Sequence, residues 1–319
     1  MLLTLSRPIE STATHDLDQF IWMTIGAVAA TVLIAPAISN FRIEWLSFAV
    51  PAGTCAALLA GSWLYRTRRE DPRLASALGC TAQIIAFAAV GAPLSYLAAS
   101  FGRPSQDGFF DALDCALGFD WITLFDFITA RPILSTVLRT AYVSFTIQAS
   151  LVVLALAFFR HLLWLRVFVL SFILTTLVTI AVSAVLPAVG AWQFHGMPST
   201  PDSTMLVGQS SVPIFNGIRD GALRQLVAIG AEGIITFPSL HAAVGLILIV
   251  GLWPIAGLRW IGITVNIVMI AATPIEGNHY LVDVIAGLMT ALACAAAARA
   301  LAARTPGWSL VAPSAARTD

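Results

Sequence analysis

The sequence contains no lysine, and all 17 of its basic residues are arginines. Lysine forms Schiff bases with carbonyl substrates and contacts the nucleotide phosphates in a P-loop, so both kinds of site are excluded. The 17 acidic residues balance the arginines to a formal net charge of zero. This balance argues against the basic surface that binds nucleic acid, and we expect no nucleic-acid partner.

Cysteine is scarce as well. The four cysteines are scattered and none belongs to a C-x-x-C pair: Cys55, Cys80, Cys115 and Cys294. This spacing indicates neither a disulfide framework nor a zinc site. We therefore expect no metal and no cofactor.

Charged residues make up only 11% of the 319 residues, against about 25% in a typical soluble domain. Hydrophobic residues make up 58%, so part of the surrounding solvent must be lipid. The apolar runs lie near 20–39, 46–65, 75–100, 136–159, 163–187, 238–256, 258–275 and 279–303. They predict an all-α, polytopic integral membrane helix bundle with about eight transmembrane helices, and a range of six to eight.

Two long segments are not expected to span the membrane. Residues 101–135 place aspartates among Phe, Leu and Trp with a turn at Gly118, which is typical of an amphipathic segment lying along the interface. Residues 188–236 are too long for an idle connection in a compact bundle, and we expect them to form a lid or rim. The first 18 residues are polar and are expected to extend or to lie on the surface.

The arginines also predict the orientation, because short cytoplasmic loops carry an excess of basic residues. The loop RTRREDPR at 66–73 and both terminal segments fall on the arginine-rich side. We therefore expect both termini to be cytoplasmic, and we expect the protein in the inner membrane of a bacterial cell. The segments 101–135 and 188–236 then face the periplasm or exterior.

Two of the five histidines fall at the same predicted depth. From His241 the chain runs about 13 residues, or roughly 20 Å, to a turn near Pro254 and returns a similar distance before His279. Asp283 follows His279 by four residues, so both side chains share one helix face. A carboxylate that accepts the Nδ1 proton leaves Nε2 free as a nucleophile or base. Taken alone, this pair also fits a polar contact that only satisfies itself or lines a water cavity.

The stretch TFPSLH at 236–241 supplies the second half of the predicted site. Pro238 is expected in the first turn of a helix, and Asn278 is expected to cap the helix that carries His279 and Asp283. The free amides of the first turn, together with Ser239, form an anion site. His241 lies beside them and can protonate a leaving oxygen. The two halves predict phosphoryl transfer that needs no metal.

PSLH followed by HYLVD resembles the type 2 phosphatidic acid phosphatase superfamily, whose pattern has PSGH and a later His with Asp four residues on. FPSLHAA with HYLVDVIAG is more similar to the branch containing fungal inositol phosphorylceramide synthase and its bacterial relatives. The resemblance implies a lipid phosphatase or phosphotransferase domain at 105–303. Residues 1–104 then form a polar leader with three transmembrane helices, and 304–319 a short polar tail.

The resemblance implies a role for each matching residue. His279 is the nucleophile that forms a phosphohistidine, Asp283 orients it, and His241 is first the acid and then the base. Ser239 holds phosphate oxygens. The substrate is a lipid phosphate or phosphodiester of phospholipid or sphingolipid metabolism, and the acceptor is water or the hydroxyl of a polyol or lipid.

The sequence departs from the phosphatase pattern at three positions. Leu240 stands in place of the PSGH glycine, Thr273 in place of an arginine, and Leu124 in place of a lysine. Other arginines must therefore neutralise the phosphate. The candidates are Arg139, on a helix that also carries Tyr142, and Arg219 or Arg224 in the long connection.

Each of these arginines also fits an interfacial side chain that only reaches toward the headgroups. Glu276 either binds an acceptor hydroxyl or caps a turn. A proton-coupled transporter is an alternative function, since intramembrane ionisable residues also form proton relays. A non-catalytic structural membrane protein is another. The transporter needs polar groups through the membrane depth, whereas the ionisable residues here cluster near one face.

Overall fold

The computed structural model describes residues 7–197 and 208–304, with side chains at 14–197 and 211–304. The elements follow the chain as α1 (Arg7–Ile38), β1 (Arg42–Ile43), α2 (Trp45–Thr67), α3 (Pro72–Ala99), α4 (Asp107–Ala116), α5 (Trp121–Thr129), α6 (Pro132–Val143), α7 (Phe145–Phe158), α8 (Leu162–Val185), α9 (Ala191–Phe194), α10 (Gly208–Asp220), β2 (Gln225–Leu226), α11 (Leu240–Leu252), α12 (Ala256–Glu276) and α13 (Leu281–Arg304). The predicted fold class, an all-α polytopic membrane bundle, is confirmed.

Within the described ranges, six helices are long and apolar enough to cross a membrane, namely α1, α2, α3, α8, α12 and α13. The consecutive helices α5 and α6 add a seventh candidate if they form one span, although they are bent by 109° at the break between them. The count of six to seven lies within the predicted range and below its central value of eight.

The difference arises where apolar runs fold into short helices. The runs predicted at 136–159 and 238–256 contain α7, with 14 residues, and α11, with 13. At 1.5 Å per residue each is about 20 Å long, whereas the hydrocarbon core is about 30 Å thick. Composition alone does not reveal this shortening, because both runs are predominantly apolar over their full length.

Helix α8 is the central helix of the bundle. It packs against α1, α3, α7, α11 and α13, and its buried residues lie on all of its sides. Leu165, Leu170 and Ile173 have no exposed surface. A helix that is hydrophobic all round is typical of such an interior position.

The N-terminal segment is more structured than predicted. Helix α1 begins at Arg7, and Leu17 is buried in the core, so the expectation of a surface leader is wrong over the described part. Asp18 accepts hydrogen bonds from Arg166 at 3.1 Å and from Gln83 at 3.1 Å. Because Arg166 is only 4% exposed, this ion pair compensates a charge that would otherwise be buried alone.

The described parts of the long connection pack onto the bundle. β2 pairs in parallel with β1, and Ile218 and Leu226 are fully buried. The segment 101–135 contains α4 and α5, and the predicted turn is present at Gly118, whose φ is +77°. Both segments therefore cover one end of the bundle, where α11 and α13 begin and α12 ends.

Candidate active site

Ser239 is the N-cap of α11. Its backbone is extended, and its hydroxyl accepts a hydrogen bond from the Ala242 amide at 3.3 Å. Pro238 therefore precedes the cap, and its predicted position in the first helical turn is wrong. The amides of Leu240 and His241 head the helix, ahead of the intrahelical hydrogen bonds, and are suited to an anion.

The turn between α12 and α13 brings a distant carboxylate to the start of α13. Asp114 of α4 accepts hydrogen bonds from the amides of Leu281 at 2.7 Å and Val282 at 2.9 Å. Asn278 instead adopts a left-handed φ of 60°, and α13 begins only at Leu281. The predicted role of Asn278 as the N-cap and the predicted position of His279 on the helix are therefore wrong. Capping by a residue 167 positions away cannot be recognised from the local sequence.

His279 and Asp283 form a buried pair. His279 Nδ1 lies 3.2 Å from Asp283 Oδ2, and the two side chains are 3% and 0% exposed. The same Oδ2 accepts a hydrogen bond from the Tyr280 amide at 2.9 Å. The Asp283 carbonyl also accepts one from the Ser239 amide at 3.0 Å, which joins the two motifs directly.

The protonation state of His279 follows from this environment. Burial lowers the pKa of His279 to about 4, and a hydrogen bond with the Thr236 backbone opposes the shift. The ring is therefore neutral near pH 7. With Nδ1–H donated to Asp283, the lone pair is on Nε2, as nucleophilic attack requires.

His241 has a partner of its own. The Tyr142 hydroxyl lies 3.0 Å from His241 Nδ1, and the two rings stack with centroids 4.3 Å apart. Phe145 packs edge-on against the same imidazole at 5.0 Å. Tyr142 was predicted to bind substrate. In the structure its hydroxyl contacts Nδ1 of His241, which leaves Nε2 as the ring nitrogen that can exchange a proton with a ligand.

The two histidines line one cavity of about 470 Å³, together with Tyr142, Leu240 and Gly277. A Cβ added to Gly277 would lie 2.6 Å from His279 Cδ2 and 3.0 Å from the Tyr142 hydroxyl. The histidine and tyrosine therefore approach each other across a position that only glycine fits. Ser239 and Asp283 have no exposed surface and support the cavity from behind.

The remaining predicted site residues differ in position. Arg139 is half-buried and interacts electrostatically with Glu276, which is buried and also interacts with Tyr142. Arg219 donates to the Arg103 carbonyl at 2.5 Å, and Arg224 donates to the Ile218 carbonyl at 2.7 Å. Arg139 is thus linked to Tyr142 through Glu276, and none of the four residues Arg139, Glu276, Arg219 and Arg224 lines the cavity.

Two aspartates of α4 support the site. They were predicted only as part of the amphipathic pattern in residues 101–135. Asp107 is buried and accepts hydrogen bonds from the Gly190 amide at 2.8 Å and the Tyr280 hydroxyl at 3.0 Å. Asp114 caps α13. Their spacing of seven residues puts both on one helix face, with Phe110 between them, and this spacing was the available signal.

Asn278 ties the long connection to the site. Its Oδ1 accepts a hydrogen bond from the Trp192 amide at 2.6 Å, and its Nδ2 donates to the Val189 carbonyl at 3.2 Å. Gly190 has a φ of +109°, and an added Cβ would lie 2.3 Å from Asn278 Nδ2. The start of the connection is therefore packed tightly against the turn that carries His279.

Comparison with known proteins gives one match. A family model described as the PAP2 superfamily matches residues 109–297, which is more than half of the chain and includes both histidine segments. No curated protein and no solved structure matches the chain.

Proposed function

The chain belongs to the PAP2 superfamily, and we propose that it is a membrane-embedded lipid phosphatase or phosphotransferase with His279 as the nucleophile. The resemblance found in the sequence is thereby confirmed at the level of the superfamily. The observation that carries the catalytic proposal is the buried His279–Asp283 pair, of which His279 lines the same cavity as His241.

In the first step, His279 Nε2 attacks the phosphorus of the lipid phosphate or phosphodiester. The bond from phosphorus to the leaving oxygen breaks, and His241, which enters this step as the imidazolium, donates its Nε2 proton to that oxygen and becomes neutral. The products are an alcohol and a phosphohistidine. Asp283 stabilises the positive imidazole ring by accepting the Nδ1–H hydrogen bond.

In the second step, His241 accepts a proton from the acceptor as the acceptor oxygen attacks the phosphohistidine. From a phosphomonoester, water yields free phosphate and an alcohol yields a new phosphate ester. From a phosphodiester, which keeps one ester on phosphorus, water yields a phosphomonoester and an alcohol yields a new diester. His279 is regenerated in every case. His241 must expose Nε2 in both steps, and Tyr142 supports this arrangement by occupying Nδ1 at 3.0 Å.

The phosphate oxygens need donors because their negative charge persists through both steps. The leading amides of α11, those of Leu240 and His241, supply two. Arg139 is the candidate arginine that is linked to Tyr142, through its electrostatic interaction with Glu276. Ser239 then contributes by holding the start of α11 in place, since its hydroxyl accepts a bond from Ala242.

We place the chain in the transferase branch that resembles inositol phosphorylceramide synthase, with a polyol or lipid hydroxyl as acceptor. Leu240 supports this placement because it lines the cavity next to His241, where the phosphatase pattern has glycine. A leucine at this position lowers the polarity beside the acid–base residue and favours an acceptor with an apolar part over water.

We also propose that the site faces the periplasm or exterior and that both termini are cytoplasmic. The arginines of the loop at 66–73, between α2 and α3, support this orientation. The candidate site lies where α11 and α13 begin, at the end of the bundle covered by the long connection.

The direct test uses purified protein with a panel of lipid phosphates, with and without inositol or glycerol as acceptor. Free phosphate and new lipid are recorded together. The wild type should form at least one of these products, and His279→Ala should form neither at a measurable rate. Activity near the wild-type rate in His279→Ala would exclude His279 as the nucleophile.

The proposed mechanism uses side chains and backbone amides alone, so activity should survive EDTA. An EDTA-treated preparation whose activity is restored by Mg²⁺ would contradict it. For His279→Ala, the matched control variant is His161→Ala, which should keep the wild-type activity. His161 is the N-cap residue of α8 and lies at the far end of that helix from the cavity.

A further inference from the structure

The cavity that begins at the two histidines continues into the apolar interior of the bundle. Beyond His241 and His279 it is bounded by α3 and α8, with Phe87 and Gly91 on one side and Phe172 and Thr176 on the other. The lining contributed by α3 and α8 is apolar apart from Ser95 and Thr176, whereas the histidine end also has Thr236 and Asn278. The cavity therefore has the polarity of a lipid, with a headgroup region and an apolar extension.

The length of the extension matches one leaflet. Its lining runs from Phe87 to Ser95 along α3 and from Phe172 to Ile180 along α8. Eight residues of helix rise about 12 Å. Half of a hydrocarbon core of about 30 Å is about 15 Å, so the extension has nearly the depth that a lipid chain occupies in its own leaflet.

Small residues on α3 create this space. Ala88, Gly91 and Ala92 lie on the face of α3 that lines the cavity. A Cβ added to Gly91 would make only ordinary contact with the Phe87 ring, at 3.5 Å. The backbone of α3 is therefore not pressed against a neighbour at this point, and the volume of these side chains sets the width of the extension.

Helix α3 lies outside residues 109–297, the part of the chain that matches the family model. It is nevertheless tied to the site. The Glu232 amide donates a hydrogen bond to the Tyr96 hydroxyl at 2.9 Å, which anchors the loop that leads into TFPSLH. The catalytic residues and the apolar wall thus come from different parts of the chain.

We propose that the extension between α3 and α8 binds one hydrocarbon chain of the lipid substrate, and that Ala88 and Ala92 determine the length and bulk of the chain it accepts. This inference rests on the proposed function, because it places the phosphate at His279. Its continuity with the two histidines identifies the occupant as the substrate's own chain.

The test narrows the extension without touching the histidines. Ala92→Phe, and Ala88→Phe at a more exposed position, should each raise the KM for a phosphatidic acid with two 18-carbon chains about tenfold or more. The reason is that buried methylenes of the lipid lose their contacts. Hydrolysis of p-nitrophenyl phosphate, which has no such chain, should be unchanged. Ala89→Phe is the matched control, since Ala89 is also on α3 but does not line the cavity, and it should change the rate with neither substrate.

A uniform effect on both substrates, or none, in the folded variants would overturn the inference. Dissociation constants for a non-hydrolysable phosphonate with the same two chains separate this failure from failure of the proposed function. Weaker phosphonate binding in Ala88→Phe, relative to the wild type and Ala89→Phe, supports the chain site even if no turnover is found. Equal binding by all three proteins, or none by the wild type, overturns it.

Discussion

At the scale of single residues, each of the two histidines proposed to act in catalysis has a side-chain partner at Nδ1. Asp283 occupies Nδ1 of His279, and Tyr142 occupies Nδ1 of His241. Both imidazoles are thereby held with Nε2 available for the reaction. The two partners differ in charge, and the difference suits a nucleophile that becomes cationic and an acid–base group that exchanges its proton.

The hydroxyl of Tyr142 should matter most when the leaving group needs a proton. Tyr142→Phe keeps the ring that stacks on His241 but removes the group 3.0 Å from Nδ1. We expect kcat for a lipid phosphate to fall about tenfold, a part of the usual contribution of acid–base catalysis. The loss should be smaller for p-nitrophenyl phosphate, whose leaving group departs without protonation.

The control for this change is Tyr65→Phe, in α2. It removes an equivalent hydroxyl far along the chain from the site and should leave both rates unchanged. An equal loss of kcat for the two substrates in Tyr142→Phe would show that the hydroxyl does not act through proton transfer at His241.

Burial of neutral His279 should make stability depend on pH. The pKa of His279 is lowered to about 4 in the folded protein, against about 6.5 when unfolded. Between these values the unfolded chain binds a proton that the folded protein does not, so stability is lost as the pH falls from 6.5 toward 4. The loss attributable to this residue is up to about 3 kcal/mol.

Thermal unfolding in detergent between pH 7.5 and pH 4.5 measures this loss. His279→Gln cannot titrate, so its Tm should fall less with acid than that of the wild type. Parallel Tm curves for the two proteins would mean that His279 titrates alike in both states.

At the scale of elements, α4 acts as a clamp on the turn that carries His279. Asp107 holds Tyr280 and the loop at Gly190, and Asp114 holds the first amides of α13. Phe110, between them, stacks on Phe237 at 4.3 Å. One helix therefore contacts the segments on both sides of the candidate site.

Removal of the cap should weaken this clamp. Asp114→Ala leaves the amides of Leu281 and Val282 without their acceptor, which should cost about 1–3 kcal/mol of unfolding free energy. The fall in kcat should be larger than the loss of folded protein alone would produce, because His279 precedes these amides by two and three residues. Thermal unfolding and kcat measured on the same preparation test both effects.

Asp126→Ala is the matched control, since Asp126 is an exposed aspartate on the neighbouring helix α5, where a substitution should change stability by about 0.5 kcal/mol or less. If Asp114→Ala behaves like Asp126→Ala, the capping interaction contributes nothing to the site.

At the scale of elements, local features could be predicted from the sequence, whereas contacts between distant helices could not. The apolar runs and the motifs PSLH and HYLVD predicted a membrane bundle and the residues of the histidine–aspartate pair, because hydrophobicity and an i,i+4 spacing are local properties. The cap at Asp114 and the contact of Tyr142 with His241 were not predicted. Both join residues about 100 or more positions apart, and such pairs depend on how the helices pack.

At the scale of the whole molecule, the orientation can be tested with a cysteine that the chain already has. Cys115 is exposed on α4, at the end of the bundle that we place outside. In a Cys55→Ala background, a membrane-impermeant maleimide should label Cys115 in intact cells. Arg68→Cys, in the loop between α2 and α3 and combined with Cys55→Ala and Cys115→Ala, should be labelled only after permeabilisation. The reverse pattern would mean that the site faces the cytoplasm.

The whole molecule also explains why the arginines were the least successful part of the sequence argument. Arg219 and Arg224 lie in the connection before TFPSLH, and proximity in sequence suggested proximity to the phosphate. In the folded chain they donate instead to the backbone carbonyls of Arg103 and Ile218. A long connection has many possible paths, and composition does not choose among them.

The central claim is a covalent phosphohistidine on His279, and mapping a trapped phosphate tests it most directly. The enzyme is mixed with lipid phosphate carrying ³²P, quenched in alkali and digested with trypsin, which must cut at arginine because lysine is absent. Peptide 225–259 then contains His241 as its only histidine, and peptide 260–299 contains His279 as its only histidine. We predict acid-labile label on peptide 260–299, and none in His279→Ala. Label on peptide 225–259, or an active preparation with label on neither peptide, would contradict the account.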